Sequence, residues 1–179
     1  MTPIGTPFTI LIDGREQAPY RFTGLRADKT QQHRPLDVKT EWASPVLRTG
    51  DYSLRDLEGD YRDLICIERK SIQDLFNTLG SDRERFQREH ERMAEIAGRD
   101  GGYTAVVIEA TWPEILSNPP ERSRLEPKTV IRTAMSWSQR YGVHWWAVGP
   151  RRLAEAATFR MLQMWYRQFQ AKQKENSGC

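Results

Sequence analysis

The stretch ICIERKSIQDL, residues 65–75, constrains the fold of this chain most strongly. Its apolar start has the length and composition of a buried strand, and it ends in three consecutive charged residues, Glu68, Arg69 and Lys70. Charge at the end of a core strand is costly unless it is paired or bound to a ligand. The stretch therefore predicts a buried strand that carries a charged site to the edge of a sheet.

A hairpin brings a second carboxylate to the same edge. The segment YSLRDLEGDYRDLICIE, which begins at residue 52, predicts two antiparallel strands with their turn in EGD at 58–60. In a hairpin, the residue numbers of every facing pair add up to the same value, so this turn places Asp51 opposite Glu68. Side chains alternate along a strand, so Glu68 and Lys70 share one face of the sheet and the arginine between them points to the other.

An earlier strand adds further charged residues. The run FTILI, residues 8–12, has strand composition and is followed directly by Asp13, Arg15 and Glu16. If this strand pairs antiparallel with the strand after Asp51, its end reaches the same corner. Three segments that are distant in sequence then form one acidic site beside Lys70.

Carboxylates in such a cluster repel one another unless a cation lies between them. Mg²⁺ binds one or two carboxylates, keeps several waters and completes its shell with substrate phosphate. Lys70 is placed to orient or help deprotonate an attacking water and to neutralise developing negative charge. The pattern predicts a metal-dependent phosphodiesterase site.

The remainder of the chain predicts an α/β class with a mixed sheet. At 179 residues it is expected to form one domain, residues 1–179, with a core over about 8–171 and a flexible tail over 172–179. Helices are predicted from Ser71, from Ser81 to about Ala97, over 127–141 and after Pro150, and further strands over 36–42, 104–109 and 143–148. The last helix carries a presumed core stripe of Leu153, Ala157, Met161, Met164, Trp165 and Phe169.

Composition sets few further limits. The formal charge of +3 permits a nucleic-acid partner without requiring one. Two cysteines, no signal peptide and no apolar run of membrane-spanning length favour a reduced cytoplasmic protein, associated with the nucleoid if the source is prokaryotic or viral.

The motif residues also resemble a known family. Gly50-Asp51, Glu68-Arg69-Lys70 and Asp74 resemble the GDXnERKX3D signature of XPF-type structure-specific DNA nucleases, and the stretch 12–16, IDGRE, resembles the family's earlier D-x-R-E element. The resemblance covers about residues 8–110. It implies the three-layer restriction-endonuclease-like fold, with a central mixed sheet flanked by helices, and an endonuclease that uses Mg²⁺ or Mn²⁺.

The resemblance also implies roles for individual residues. Asp51 and Glu68 are the implied metal ligands, with Asp13 and Glu16 as further candidates, and Lys70 is the implied catalytic lysine. The remaining implied site residues are Arg15, Arg69 and Asp74. Arg83 and Arg85 fall where the family has a basic segment, and Arg88 shares a helix face with Arg85 close to the proposed site, so these three are the expected DNA contacts. The implied substrate is DNA with branches, flaps or junctions of single and double strands, in repair or recombination, and a homodimer or a partner protein would help to select it. Helix-hairpin-helix modules, usual in the family, do not fit in the remaining sequence.

Several alternatives stay open at this stage. Ser71 to Asp74 also fits a helix capping box, and Asp13-Gly14 also fits a simple turn. The tryptophans are assigned to the core rather than to base stacking. The alternative functions are a non-catalytic module that binds DNA structures and a nuclease that reads a specific sequence. Metal-dependent cleavage distinguishes the predicted nuclease from a module that only binds DNA. A map of the cuts on plasmid and on forks distinguishes it from a nuclease that reads a specific sequence.

Overall fold

A computed structural model describes residues 1–176 of the chain. Its strands are β1 (Ile4–Ile12), β2 (Leu36–Trp42), β3 (Tyr52–Arg55), β4 (Ile65–Lys70), β5 (Tyr103–Ile108) and β6 (His144–Ala147). Its α-helices are α1 (Ile72–Leu79), α2 (Arg83–Ala97), α3 (Trp112–Ser117), α4 (Pro127–Tyr141) and α5 (Arg151–Asn176), and a short 3-10 helix spans Lys29–Gln31. The predicted strand over 36–42 and helix over 127–141 are confirmed at both ends, whereas α3 was not predicted.

The strands form one mixed sheet in the order β2-β1-β3-β4-β5-β6. β3 is antiparallel to both of its neighbours, as predicted, and the other pairs are parallel. Because of this arrangement, β1, β2, β4, β5 and β6 all end at the same edge of the sheet. The residues that follow those strands therefore meet along one edge, called here the carboxyl edge.

Helices cover both faces of the sheet. On one face, Ile10, Tyr52 and Ile67 pack with Phe159 and Leu162 of α5. On the other face a second cluster joins the sheet to α1, α2, α3 and α4; it includes Cys66, Leu75, Phe86, Val106, Ile115, Val130 and Trp137. The predicted three-layer restriction-endonuclease-like architecture is confirmed.

The hairpin of β3 and β4 has the predicted register at its open end but not at its tip. Tyr52 pairs with Ile67, and this register also places Asp51 opposite Glu68, as predicted. Near the tip, however, Arg55 pairs with Asp60, so the turn is centred on residues 57–58 instead of 58–60. A turn over 62–64 takes up the additional residues and restores the register.

The final helix differs from its predicted form in two ways. Its core face is formed by Ala154, Phe159, Leu162 and Trp165, while Leu153 and Met164 of the predicted stripe are exposed. Apolar residues occur around much of the helix, so their spacing alone did not identify the buried face. The helix also extends to Asn176, into the stretch predicted as a flexible tail. Lys172 forms an ion pair with Asp100 there; the last three residues lie outside the described part of the chain.

The tryptophans divide between core and surface. Trp137 is buried, but Trp42 and Trp146 are among the most exposed large apolar side chains, so the core assignment is wrong for these two. Within residues 1–176, the helices are too short or too polar to cross a lipid bilayer.

Candidate active site

Gly50 allows the backbone before β3 to pass close to β4. Its φ of +72° lies in the left-handed region, and a Cβ atom added there would lie 2.2 Å from the Sγ of Cys66. Only glycine fits this position without displacing the core thiol. The close approach lets the backbone N–H of Asp51 donate to the carbonyl of Ile67 at 2.9 Å, and the carbonyl of Asp51 accepts from Asp13 at 2.9 Å.

Asp51 and Glu68 are neighbours at the carboxyl edge. The Oδ2 atom of Asp51 accepts a hydrogen bond from the backbone N–H of Arg69 at 2.7 Å, so its carboxylate lies within one residue of Glu68. Glu68 is only 4% exposed, and it forms an ion pair with Lys70 on the same face. The Nζ of Lys70 also lies 4.8 Å from the ring centre of Phe86 in α2. The predicted adjacency of two carboxylates and one lysine is therefore present.

Burial and mutual repulsion alter the ionisation of these groups. Desolvation, followed by repulsion from Glu89, raises the pKa of Glu68 to about 7. Desolvation and the nearby Glu68 raise the pKa of Asp51 above its ordinary range. Burial opposes the charged form of Lys70, but the carboxylates of Glu68, Glu89 and Asp51 outweigh it and raise the pKa of the ammonium. Lys70 is therefore a cation at neutral pH, and its charge partly offsets the repulsion between the carboxylates.

Glu89 is a site residue that the sequence reasoning missed. It lies on α2, where it raises the pKa of both Glu68 and Lys70. It follows Phe86 by three residues, so both side chains lie on adjacent turns of the same helix side. Phe86 is buried against Lys70, and this spacing was the available signal. It was obscured because α2 carries charges along its length and reads as a solvated helix.

Arg69 lies on the opposite face, as the alternation predicted. Its guanidinium donates to both carboxylate oxygens of Glu109, at 2.7 and 3.0 Å, and forms an ion pair with Glu16 at 3.4 Å. Arg151 of α5 also binds Glu109, at 2.9 Å. Glu16 and Arg69 thus belong to a buried ionic network, called here the Arg69 network, which fixes the start of α5 against the sheet behind the catalytic face.

Asp13 and Arg15 form a unit of their own. Asp13 is buried, and its carboxylate accepts from the backbone N–H and the guanidinium of Arg15 at 2.8–3.0 Å. The arginine donates in addition to the carbonyl of Leu47 at 2.7 Å. Asp13 and Arg15 thus form part of a turn, and this turn lies at the same edge of the sheet as Asp51.

Ser71 caps α1, and the carboxylate of Asp74 binds the hydroxyl of that cap. This carboxylate accepts from the hydroxyl of Ser71 at 2.6 Å, while the hydroxyl accepts from the backbone N–H of Asp74 at 3.1 Å. Both residues are near the surface, and neither hydrogen-bonds to Asp51, Glu68 or Lys70 within the described residues. The geometry assigns Asp74 a role in helping the Ser71 cap through its hydroxyl, whereas the predicted bond from the carboxylate to the backbone N–H of Ser71 is not formed in the described part of the chain.

The three candidate DNA-binding arginines differ in their surroundings. Arg83 donates to the hydroxyl of Thr133 at 3.2 Å and lies over the ring of Trp137, so it joins α2 to α4. Arg85 is exposed and pairs with Asp82, and Arg88 is exposed. Arg85 and Arg88 remain accessible to a phosphate, whereas Arg83 is committed mainly to packing.

The donor set fits a hard divalent cation that the substrate helps to hold. Over residues 1–176, no group of three or more His, Cys, Asp or Glu side chains is already arranged around a metal position. Asp51 and Glu68 instead supply two adjacent carboxylates, the number that Mg²⁺ commonly takes from a protein when substrate phosphate completes its shell. Desolvation and neighbouring carboxylates raise the pKa of both acids, and a bound divalent cation would favour their charged forms.

The three-layer fold with this charged corner defines a domain of the restriction-endonuclease-like class. A family model described as the ERCC4 domain matches residues 21–155, which is more than half of the chain. The chain belongs to the ERCC4 domain family. No curated protein matches it at a significant level.

Two solved structures are similar in fold. XPF from Aeropyrum pernix superposes with a TM-score of 0.58 at 16% identity, over 87% of this chain and 60% of that one. XPF from Aeropyrum pernix in complex with DNA superposes with a TM-score of 0.57 at 16% identity, over 89% of this chain and 66% of that one. The chain thus spans less than two thirds of these proteins, and the likeness establishes the fold of the XPF-type nuclease domain.

Proposed function

We propose that the chain is a metal-dependent DNA endonuclease that hydrolyses phosphodiester bonds at the corner formed by Asp51, Glu68 and Lys70. The observation that carries the proposal is the adjacency of the Asp51 and Glu68 carboxylates and a charged lysine at the carboxyl edge. Membership in the ERCC4 domain family and the likeness to an XPF structure that contains DNA support the choice of DNA as substrate.

The residues divide the chemistry between them. Asp51 and Glu68 would hold Mg²⁺ or Mn²⁺, which supplies Lewis-acid stabilisation and an activated water when bound. Lys70 keeps its proton at neutral pH because the surrounding carboxylates raise its pKa. It therefore acts through its charge: it orients the phosphate and stabilises the negative charge that develops as water attacks phosphorus and the leaving oxygen departs. Of the two roles predicted for this lysine, the electrostatic one is favoured.

The substrate class follows from the family. We infer that the enzyme cuts branched, flapped or forked DNA in repair or recombination, with Arg85 and Arg88 as accessible phosphate contacts. Selection of such structures would be aided by a second protein surface. The exposed apolar residues Leu153 and Met164 of α5 are candidates for contact with a second copy or a partner protein.

A panel of labelled DNA substrates tests the proposal. Duplex, fork, flap, gap and single-stranded DNA are incubated with the protein, each with and without Mg²⁺ or Mn²⁺. Cuts that require metal and fall near junctions are expected. Binding without cleavage on every substrate would favour the scaffold function, and cuts at fixed sites in intact duplex would favour a sequence-specific nuclease.

A further inference from the structure

The segment 17–34, between β1 and β2, packs along α5 and forms a concentrated basic surface with it. The backbone N–H of Phe22 donates to the carboxylate of Glu155, and the guanidinium of Arg160 donates to the carbonyl of Arg26 at 2.5 Å. Residues 17–34 and 150–168 together contain eight Arg and Lys residues and two acids, a formal charge of +6 against +3 for the whole chain. The rest of the chain is therefore net negative. These two segments are called here the α5 basic surface.

The acids of this surface do not neutralise it. Asp28 is shared by Arg160 and Arg167, at 3.3 and 3.1 Å, so these three residues together remain positive. The exposed cations of the surface that have no acidic partner within residues 1–176 are Arg21, Arg26, Lys29 and Arg152. Free guanidinium and ammonium groups concentrated on one side of a molecule are the electrostatic footprint of a polyanion site.

The backbone that carries Arg21 is held in a fixed and uncommon conformation. Its neighbour Tyr20 stacks on Tyr52 of β3 with ring centres 5.2 Å apart, and its other neighbour Phe22 meets the ring of Tyr52 edge-on at 5.5 Å. The φ of Phe22 is +53°, in the left-handed region that bulky residues rarely adopt. Within the described chain, the residues other than glycine with positive φ all lie in segment 17–34. Backbone strain of this kind is concentrated at binding and catalytic sites.

The α5 basic surface begins at the carboxyl edge. Arg151, at the start of α5, binds Glu109, which also binds Arg69 beside the catalytic corner. A groove of about 530 Å³ lies at this end of the surface, and its lining includes Pro19, Tyr20, Arg21, Thr23, Arg151 and Glu155. From Arg152 to Arg167 the surface extends roughly 22 Å along the helix, the length of about six phosphates on one strand of a duplex. It lies on the opposite side of the sheet from the catalytic corner, so the two sites face different directions.

We propose that the α5 basic surface binds the phosphate backbone of one arm of a branched DNA while another arm lies at the catalytic corner. Arg and Lys side chains fix the position of a duplex through its phosphates without reading its sequence. A straight duplex reaches one side of the sheet, whereas a branched molecule sends arms to both sides from a junction at the carboxyl edge. This inference rests on the proposed nuclease function and gives that function a means of selecting branched substrates.

The test measures affinity for two labelled DNA molecules in EDTA over a range of salt concentrations. One is a junction with three duplex arms, and the other is a linear duplex of the same total length. The double variant Arg21→Gln/Arg152→Gln is expected to bind the junction roughly 10-fold or more weakly at about 0.1 M salt, and to lower the slope of log K against log salt by about 2, one for each lost phosphate contact. The linear duplex should change by less than about 2-fold, because the catalytic face remains available to it.

Two further variants separate local contacts from charge and folding. Arg99→Gln/Arg140→Gln removes the same charge from exposed positions after α2 and within the last turn of α4, near the opposite edge of the sheet, and is expected to bind both DNA molecules as the unmodified chain does. Arg21→Lys/Arg152→Lys keeps both charges and is expected to retain most of the affinity for the junction. Circular dichroism accompanies each variant.

The outcomes distinguish this inference from the nuclease proposal. If the unmodified chain binds neither DNA molecule, the proposed function fails. If it binds the junction and cuts it with metal, but Arg21→Gln/Arg152→Gln matches the Arg99→Gln/Arg140→Gln control, the surface serves an acidic protein instead and this inference alone is overturned. Equal losses on the junction and the linear duplex would also overturn it, because the surface would then not distinguish branched DNA.

Discussion

The carboxylate of Asp51 accepts a hydrogen bond from the backbone N–H of Arg69 at 2.7 Å, and this contact joins the two halves of the candidate active-site motif. The two residues are separated by eighteen positions in sequence. The bond holds Asp51 against the end of β4. Glu68 and Lys70, the residues on either side of Arg69, lie at that end of the strand. The geometry of the corner therefore depends on the backbone at Gly50 and on the hairpin register.

Replacement of Gly50 should destabilise the fold. Gly50→Ala introduces both a strained positive φ and a methyl group 2.2 Å from the Sγ of Cys66, and we expect a loss of at least about 2 kcal/mol in the free energy of unfolding. Gly24→Ala is the matched control, because Gly24 has the same φ of +72° but no atom within 4 Å of the added carbon. Its expected cost is about 1 kcal/mol. Equal losses in urea denaturation would show that the contact with Cys66 is unimportant.

The Arg69 network should contribute strongly to stability. In the pair of Arg69 and Glu109 the side chains are 9% and 10% exposed, so Glu109→Gln leaves the buried guanidinium with only the longer contact to Glu16. We expect a loss of about 3 kcal/mol in the free energy of unfolding. Asp82→Asn breaks the exposed pair with Arg85 and should cost less than about 1 kcal/mol. A similar, small effect of both substitutions would contradict a structural role for the network.

Stability should decrease as pH rises through the titration range of Glu68. The pKa of Glu68 is about 7 in the folded protein and 4.5 ordinarily, so between these values the folded state binds a proton that the unfolded state has released. The free energy of unfolding should therefore fall between pH 4.5 and 7, by at most about 3 kcal/mol. Denaturation at pH 5 and pH 7.5 measures this slope. Glu68→Gln should make this slope smaller. Part of the pH dependence should remain, because the pKa of Asp51 is also raised. An unchanged slope would refute the assignment of the titration to Glu68.

Glu89 should influence the pH dependence of cleavage. It raises the pKa of Glu68, so Glu89→Gln is expected to shift the acid limb of the rate profile to lower pH. The effect should be clearest at a fixed, subsaturating concentration of Mg²⁺, where protons and the cation compete for Glu68. Glu91→Gln, an exposed position on the same helix, should leave the profile unchanged. If the profiles of the two variants coincide, Glu89 does not belong to the site.

The sequence allowed the corner to be predicted because the charged residues follow strand ends whose order and direction were predicted correctly. The register that brings Asp51 to Glu68 was predicted through two errors that cancel: the turn lies earlier than predicted, and an unpredicted turn over 62–64 takes up the difference. The tertiary features were not predictable in this way. The buried face of α5, the position of Glu89 beside Glu68 and the exposure of Trp42 depend on how helices and edge strands pack, and apolar or charged residues on several sides of an element do not specify that packing.

Two aspartates of the motif provide the most direct test of the central claim, that Asp51 together with Glu68 holds the catalytic cation while Asp74 supports the Ser71 cap of α1. The initial rate of Mg²⁺-dependent cleavage of a labelled fork is measured for Asp51→Asn and Asp74→Asn, with folding checked by circular dichroism. The account predicts a loss of at least about 100-fold for Asp51→Asn and less than about 5-fold for Asp74→Asn, whose carboxylate binds Ser71. Wild-type cleavage by a folded Asp51→Asn protein would contradict it.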